Sequence, residues 1–265
     1  MRLFVLSLAV LLAAACGKED KSEDGAGKAN VKLSMSDGST LRLVKRALGL
    51  ATETNIAPDE FVVKIISVEL VNAENRYVNI WTGTGCTPKK VEYDGGKKDE
   101  EGNTVNDFFY NAENCLLSDI TEGVDLAQPI ADVNQELNSQ AWPVPADTYT
   151  QVSIRMCQPE DTAEDKAQAI EFIGGDMSES HTFGNGSCGV TGAPVSNMVI
   201  AEGDDVTIDL QYDQESLLSK GTHEVDVSAQ YSKANTTGEC ILGETNYITY
   251  CGKFGATTFV PSIVE

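Results

Sequence analysis

Apolar and polar residues alternate with a period of two along several short stretches of this chain. The alternation is clearest over residues 152–156, 206–213 and 224–231. Successive side chains of a β-strand point to opposite faces of a sheet, so this period predicts strands with one buried face. Four shorter strands are predicted on the same grounds. They cover residues 77–81, 105–110, 247–251 and 257–260.

The strand predicted over residues 206–213 gives the most specific expectation. Its apolar positions place Ile208 and Leu210 in the core, whereas Thr207 and Gln211 face water. Several acidic residues lie along the same stretch, and we assign them to a solvent-exposed face. They are Asp204, Asp205, Asp209 and Asp213.

Residues 61–71 are apolar at both odd and even positions and are rich in β-branched side chains. A strand that is buried on both faces has this composition, so we predict one central strand here. Many short strands and few helical patterns together indicate an all-β protein. The predicted fold is a single β-sandwich, immunoglobulin-like or transthyretin-like, with short decorating helices and disulfides.

Two segments carry a helical pattern, residues 39–51 and residues 162–173. In the second, Thr162 followed by Asp165 is typical of a helix start. The first contains a small basic cluster, which we interpret as a solvated helix face or loop. Docking of an anionic partner is the alternative for this cluster. Its residues are Arg42, Lys45 and Arg46.

The first sixteen residues have the organisation of an export signal. A basic start precedes the apolar stretch 3–12, which is too short to span a bilayer as a permanent helix. The segment 12–17, LAAACG, resembles a lipobox, with small residues before Cys16. We therefore predict that Cys16 is lipidated. The alternative is an ordinary secretory signal cut after Ala15, which would leave Cys16 as a spare thiol.

Three regions follow from this organisation. Residues 1–15 are the predicted lipoprotein signal peptide, and residues 16–30 form a charged, glycine-containing flexible tether. Residues 31–265 form the β-sandwich domain, which ends in a disulfide hairpin. No later apolar run has the length of a membrane span, so the acyl group at Cys16 is the predicted anchor.

The chain is strongly acidic. It holds 19 Lys plus Arg against 41 Asp plus Glu, which gives a formal net charge of -22 over 265 residues. This charge repels nucleic acid and anionic lipid headgroups, so nucleic acid is excluded as a predicted partner.

The cysteines that follow Cys16 are even in number, which in an exported chain indicates disulfides. They are Cys86, Cys115, Cys157, Cys188, Cys240 and Cys251. The sequence leaves the connectivity open. Proximity along the chain favours three pairs, which are Cys86 with Cys115, Cys157 with Cys188, and Cys240 with Cys251. The pair Cys240 and Cys251 forms the predicted C-terminal hairpin. Metal binding is disfavoured because no Cys-x-x-Cys motif occurs and the chain has only two histidines.

No catalytic constellation is found in the sequence. A serine triad could use only His181 or His223, and residues 184–189 lack the first glycine of a nucleophile elbow. We place His181 in a polar loop and His223 in a turn. No phosphate-binding loop, dinucleotide fingerprint or zinc-protease motif is present. Carboxylates are so abundant that a glycosidase-like pair stays open as an alternative. The chain is therefore predicted to be non-catalytic, with no cofactor.

The loop 94–107 is the main candidate calcium site. It offers carboxylate and amide oxygens and glycine turns, but it lacks the spacing of an EF-hand, and Lys97 and Lys98 oppose binding. We prefer a solvated hairpin loop, and no metal site is predicted.

Four segments resemble, in order, a function-unknown domain family common in bacterial lipoproteins. Residues 201–213 followed by 215–217 look like its closing motif, and residues 144–152 look like its "pAGxYtqv" strand entry. Residues 61–70 and 33–37 are similar to its early strands. Asp147 stands where that family usually has glycine, and the six cysteines are not typical of it. The resemblance implies a sandwich fold and a lipoprotein setting, with no catalytic residues.

The predicted function is a non-catalytic binding or adhesion module on a lipid anchor, in the bacterial cell envelope. We expect an outer-membrane lipoprotein, periplasmic or surface-exposed, with a glycan or an envelope protein as partner. An anchor, a flexible spacer and a β scaffold together hold variable loops away from the membrane. The alternatives are an envelope structural or assembly component and a periplasmic hydrolase.

Overall fold

The computed structural model describes residues 28–38, 54–87, 89–98, 104–111, 115–184, 191–222, 238–242, 248–255 and 258–264. Strands dominate these ranges. In chain order they are β1 (Lys28–Asp37), β2 (Thr54–Ile56), β3 (Glu60–Val63), β4 (Ser67–Asn72), β5 (Tyr77–Thr82), β6 (Lys89–Lys98), β7 (Thr104–Asn111), β8 (Val124–Asp125), β9 (Trp142–Pro145), β10 (Asp147–Arg155), β11 (Ile170–Ile173), β12 (His181–Phe183), β13 (Thr191–Ile200), β14 (Asp205–Tyr212), β15 (Leu218–Thr222), β16 (Gly238–Leu242), β17 (Ile248–Lys253) and β18 (Phe259–Val264). The helices are α1 (Ile130–Leu137) and α2 (Ala163–Lys166).

The strands form four sheets and one hairpin. Sheet 1 has the order β18-β14-β1-β9, and sheet 2 has the order β13-β10-β4-β5. Sheet 3 is β12-β11-β3-β8, sheet 4 is β16-β17-β15-β2, and β6 pairs with β7 alone. Several sheets enclose one apolar core, which confirms the predicted all-β, sandwich-like class. None of the described helices is long and apolar enough to cross a membrane.

The central pair of sheet 1 confirms the alternation found over residues 206–213. Strands β1 and β14 run parallel, with Leu33 opposite Ile208 and Met35 opposite Leu210. All four of these side chains are buried. The opposite face of β14 is partly covered, because Thr207 and Gln211 are half-buried rather than open to water.

Two of the four acidic residues along this stretch correct our assignment to solvent. Asp209 is only 5% exposed and Asp213 only 6%, whereas Asp204 is half-buried and Asp205 is exposed. The Ser34 hydroxyl donates to Asp209 Oδ1 at 2.8 Å, and the Ser36 hydroxyl donates to Oδ2. Hydroxyls from the neighbouring strand thus replace the water that this carboxylate would lose on burial.

The single strand predicted over residues 61–71 is wrong. The segment forms two strands, β3 in sheet 3 and β4 in sheet 2, and each is interior to its sheet. Between them Lys64 N donates to Ala169 O at 2.9 Å, and Ile66 N donates to Arg155 O at 2.8 Å. The chain changes sheets without leaving the core, so the apolar run continues through the change and gives no sign of it.

The helix predicted over residues 162–173 is also largely wrong. Its cap is confirmed, since Asp165 N donates to Thr162 Oγ1 at 3.1 Å. The helix ends at Lys166, however, and residues 170–173 form β11. Pairing with β3 and β12 outweighs the weak helical pattern there.

Helix α1 was not predicted. Its buried residues, Val133 and Leu137, lie one turn apart, and Asn138 ends it in the left-handed conformation at φ 40°. Asn134 fastens the helix to β1, because its amide donates to Met35 O and accepts from Met35 N, both at 2.8 Å. This pair of hydrogen bonds fixes α1 to β1 of sheet 1, and the helix also contacts β8 at the edge of sheet 3.

Strand β10 begins at a feature typical of Greek-key sandwiches. Tyr149 is buried, and its hydroxyl donates to the Pro145 carbonyl, four residues upstream, at 2.8 Å. A tyrosine corner has this form. Asp147, which replaces the glycine of the resembled motif, accepts from Asn72 Nδ2 at 2.9 Å.

Of the three predicted disulfide pairs, one is described in full. Cys86 and Cys115 are bonded, with their Cα atoms 5.3 Å apart. Cys157 and Cys251 are each disulfide-bonded as well, and the register sets Cys240 directly opposite Cys251. Other predictions lie outside the described residues. They concern Cys16, Cys188, His223, the basic cluster, the helix over 39–51 and the strand over 224–231.

Candidate functional site

A cleft of about 400 Å³ opens beside the edge of sheet 3. Strand β3, the end of β5, the segment 122–125 that includes β8, and helix α1 form its walls. Its volume falls within the range of small-molecule sites in proteins. We call it the acidic cleft. Its lining residues are Glu60, Val62, Ile65, Trp81, Thr84, Glu122, Gly123, Val124, Asp125, Gln128 and Glu136.

The floor of the acidic cleft is apolar and fixed. Ile65, Trp81 and Val124 are buried and belong to the core. The Trp81 indole donates to Leu137 O at 2.7 Å, so the last turn of α1 holds the ring in place. The segment before β8 needs glycine at position 123, because a Cβ at Gly123 would lie 2.5 Å from the Val62 side chain. The close approach of β8 to β3 therefore depends on that glycine.

Four carboxylates surround the floor, and two of them are positioned by hydrogen bonds. Asp125 Oδ1 accepts from Phe61 N at 2.9 Å and from Ala127 N at 3.0 Å. Glu136 accepts from Asp125 N at 3.2 Å and from Gln128 Nε2 at 2.9 Å. These bonds hold Asp125 and Glu136 in one arrangement before any ligand arrives.

The other two carboxylates, Glu60 and Glu122, are exposed, and in the described part of the chain neither has a hydrogen-bond or ion-pair partner. None of the described residues that line the cleft is basic, so these residues give the cleft a net negative charge.

A buried tyrosine, Tyr212, lies next to the cleft and has a raised pKa. The Tyr212 hydroxyl donates to Leu126 O at 3.0 Å, next to Asp125 in the chain. Burial raises the pKa of Tyr212 far above its ordinary value, and the charges of Asp125, Asp37 and Glu136 raise it further, although its contact with Gln214 opposes the rise. The phenol therefore stays neutral.

One disulfide lies at the mouth of the cleft. Cys86 follows Thr84 closely, and its bond to Cys115 ties this corner to the segment that leads to Glu122. Gly85 adopts φ +99°, and a Cβ there would collide with the Asp119 carbonyl. Thr121 N donates to Thr84 O at 3.4 Å. The predicted disulfide thus supports one wall of the site.

The other predicted site residues lie elsewhere or are not brought together. His181 is in edge strand β12, not in a loop, and its ring packs 6.3 Å from Phe172. The segment 94–107 belongs to the β6–β7 hairpin, in agreement with the preferred hairpin interpretation. Residues 99–103 of this segment lie outside the described residues. Among the described residues, no three His, Cys, Asp or Glu side chains converge closely enough to hold a metal ion.

The acidic cleft itself was missed in the sequence. Its carboxylates come from four segments, which are β3, the turn before β8, β8 itself and α1. The first and last of these carboxylates, Glu60 and Glu136, are 76 positions apart in the sequence. In so acidic a chain no single Asp or Glu stands out. The available signal was the spacing of Val133 and Leu137, which reveals α1 and would have placed Glu136 on its outer side.

No family model matches this chain, and neither the curated proteins nor the solved structures include a match to it. The resemblance to the lipoprotein domain family therefore stays a prediction.

Proposed function

We propose that this protein is a non-catalytic binding module of the bacterial cell envelope, held by a lipid anchor at Cys16, whose ligand occupies the acidic cleft. The observation that carries the proposal is the cleft's combination of a fixed apolar floor and polar groups around it. Small-molecule sites are commonly built in this way, with apolar walls and a few polar groups that orient the ligand.

The arrangement of the cleft favours binding over chemistry. Asp125 and Glu136 accept hydrogen bonds from backbone and amide donors, so they are held in place as acceptors. Among the described lining residues the one hydroxyl is that of Thr84, and none is a histidine or cysteine that could activate it, whereas hydroxyl or thiol catalysis needs a nucleophile beside a base. A carboxylate pair is the remaining route to chemistry, and the variant Asp125→Asn below tests it.

A cleft-filling variant tests the proposal. Thr84 is exposed at the mouth, so Thr84→Trp should obstruct the cleft without disturbing the core. Thr148→Trp is the matched control, because Thr148 is exposed on β10 and does not line the cleft. Small molecules and envelope glycan fragments would be screened by thermal shift against the full chain purified in detergent.

We expect at least one compound to stabilise the wild type and Thr148→Trp but not Thr84→Trp. Stabilisation of all three proteins alike would place binding elsewhere and refute the cleft as the site. If the wild type hydrolyses a compound and Asp125→Asn does not, the protein is a periplasmic hydrolase rather than a binding module. A fixed envelope protein partner whose capture is unaffected by Thr84→Trp would favour the assembly component.

A further inference from the structure

We propose that one end of the protein, the end at which β1 begins, faces the lipid headgroups of the membrane, so that the acidic cleft opens away from the bilayer. This inference rests on the proposed function, since it takes Cys16 as the anchor. It adds the surface of the protein that lies against the membrane and the direction in which the cleft points.

The chain from the anchor enters at one end of sheet 1. Strand β1 begins at Lys28, and residues 17–27 separate it from Cys16. Lys28 lies opposite Pro145 in β9, and its carbonyl accepts from Gly203 N at 2.9 Å. Three connections between strands meet at this end, which we call the near pole. They are residues 72–76, 145–147 and 201–205.

The acidic cleft lies at the opposite end, which we call the far pole. Strand β1 has ten residues and therefore ends, at Asp37, about 30 Å from the near pole. Strand β14 runs parallel to it and ends at Tyr212. The Tyr212 hydroxyl donates to Leu126 O at 3.0 Å, next to Asp125 of the cleft wall. Phe61 N, at the start of β3, donates to Asp125 Oδ1 at 2.9 Å. These contacts place the cleft beyond the ends of β1 and β14.

The length of chain between the anchor and β1 favours the near pole as the membrane-facing end. A flexible chain from Cys16 to Lys28 spans about 20 Å on average and about 40 Å when fully extended. With the cleft toward the lipid, Lys28 would lie at least the length of β1 from the bilayer, and the chain would approach its extended limit. Such stretching costs conformational entropy. With the near pole toward the lipid, no stretching is needed.

Charge opposes the remaining orientation, in which the protein lies on its side. The formal net charge is -22, so anionic headgroups repel the protein, and a side-on position brings more of this charge near them than an end-on position does. Val260 and Val264 on β18 are exposed on one side, but two valines offer little apolar surface to offset the repulsion.

The experiment measures the distance of each pole from the lipid. Glu202→Cys places a fluorescent label at the near pole, and Glu60→Cys places it at the far pole. The two variants are matched, since each replaces one exposed glutamate. Ala73→Cys and Glu122→Cys repeat the comparison at a second exposed position of each pole. The lipidated full chain is labelled without reduction and reconstituted into phosphatidylcholine vesicles that contain an energy acceptor on a lipid headgroup.

Energy transfer to the acceptor lipid falls steeply with distance. We therefore expect strong quenching of the label at positions 202 and 73, and little quenching at positions 60 and 122. Equal quenching at both poles would mean that the protein lies on its side. Stronger quenching at positions 60 and 122 would mean that the cleft faces the lipid. Either result overturns the proposal.

Flotation of the same vesicles tests the anchor separately. If the wild type floats with the vesicles and Cys16→Ala does not, the anchor stands, and the quenching alone decides the orientation. If the wild type does not float, the anchor of the proposed function fails, and the orientation falls with it. The screen with Thr84→Trp is independent of both measurements, because it reports on the cleft in detergent.

Discussion

Tyr149 holds the start of β10 through one buried hydrogen bond. Its hydroxyl donates to Pro145 O at 2.8 Å, and the ring is buried. We expect Tyr149→Phe to lower the free energy of unfolding by about 1–2 kcal/mol, because the buried carbonyl loses its partner while packing is kept. Denaturant unfolding measures the change. Tyr77→Phe is the control, since Tyr77 is 40% exposed and should change little. An unchanged free energy of unfolding in Tyr149→Phe would show that the hydroxyl of Tyr149 contributes nothing.

Asp209 is the buried carboxylate that sheet 1 has to satisfy. Ser34 and Ser36 donate to its two oxygens, and these bonds join β1 to β14. Asp209→Asn keeps the shape but removes the charge and one acceptor, so we expect a loss of about 1–2 kcal/mol in denaturant unfolding. Asp205→Asn, at an exposed position on the same strand, should leave stability almost unchanged. A neutral result at Asp209 would mean that the serines bond equally well to an amide.

At the residue scale the sequence predicts apolar positions better than polar ones. Ile208 and Leu210 are buried as their alternation requires. Asp209, between them, was assigned to solvent by the same alternation and is buried. Its burial depends on two serines from a strand that is distant in sequence. Alternation tells which face a side chain is on, but it does not tell what covers that face.

At the element scale the disulfide between Cys86 and Cys115 closes a loop that contains the β6–β7 hairpin. Replacing both cysteines by serine should lower stability by about 2–4 kcal/mol, since the unfolded chain regains freedom. Amide exchange near Thr121 should also become faster, because this wall of the cleft loses its support. Thermal unfolding and hydrogen exchange measure the two effects. If the amide exchange rate at Thr121 does not change, the disulfide does not support this wall of the cleft.

The errors at the element scale share one physical cause. Residues 61–71 cross between two sheets inside the core, and residues 162–173 begin as a helix and end as β11. In both segments pairing with distant strands decides the structure. Local period and capping predicted the strands around them, and predicted the cap at Thr162, because those depend on neighbours in sequence.

The same reasoning explains why the acidic cleft was missed. Its walls are short elements that meet only in the folded chain, and α1 has just two buried residues to reveal it. The disulfide at its mouth was predicted from cysteine order alone. A site assembled from exposed carboxylates leaves no local pattern in a chain with 41 acidic residues.

At the scale of the whole molecule the proposal joins an anchor to a binding site. If Cys16 is acylated, Cys16→Ala should abolish lipid labelling and release the protein from the membrane fraction, because the acyl chains are the proposed anchor. Fractionation of cells grown with a labelled fatty acid measures both effects. Retention of the variant in membranes at high salt would contradict the anchor.

The most direct measurement of the binding site uses the two tryptophans of the chain. Trp81 lines the floor of the acidic cleft, whereas Trp142 on β9 does not line it. With 5-fluorotryptophan in both positions, fluorine NMR gives one signal for each ring. Titration with a compound that stabilises the wild type but not Thr84→Trp should shift the Trp81 signal in a saturable way and leave the Trp142 signal in place. A titration that leaves Trp81 unchanged, or that moves only Trp142, would contradict binding in the cleft.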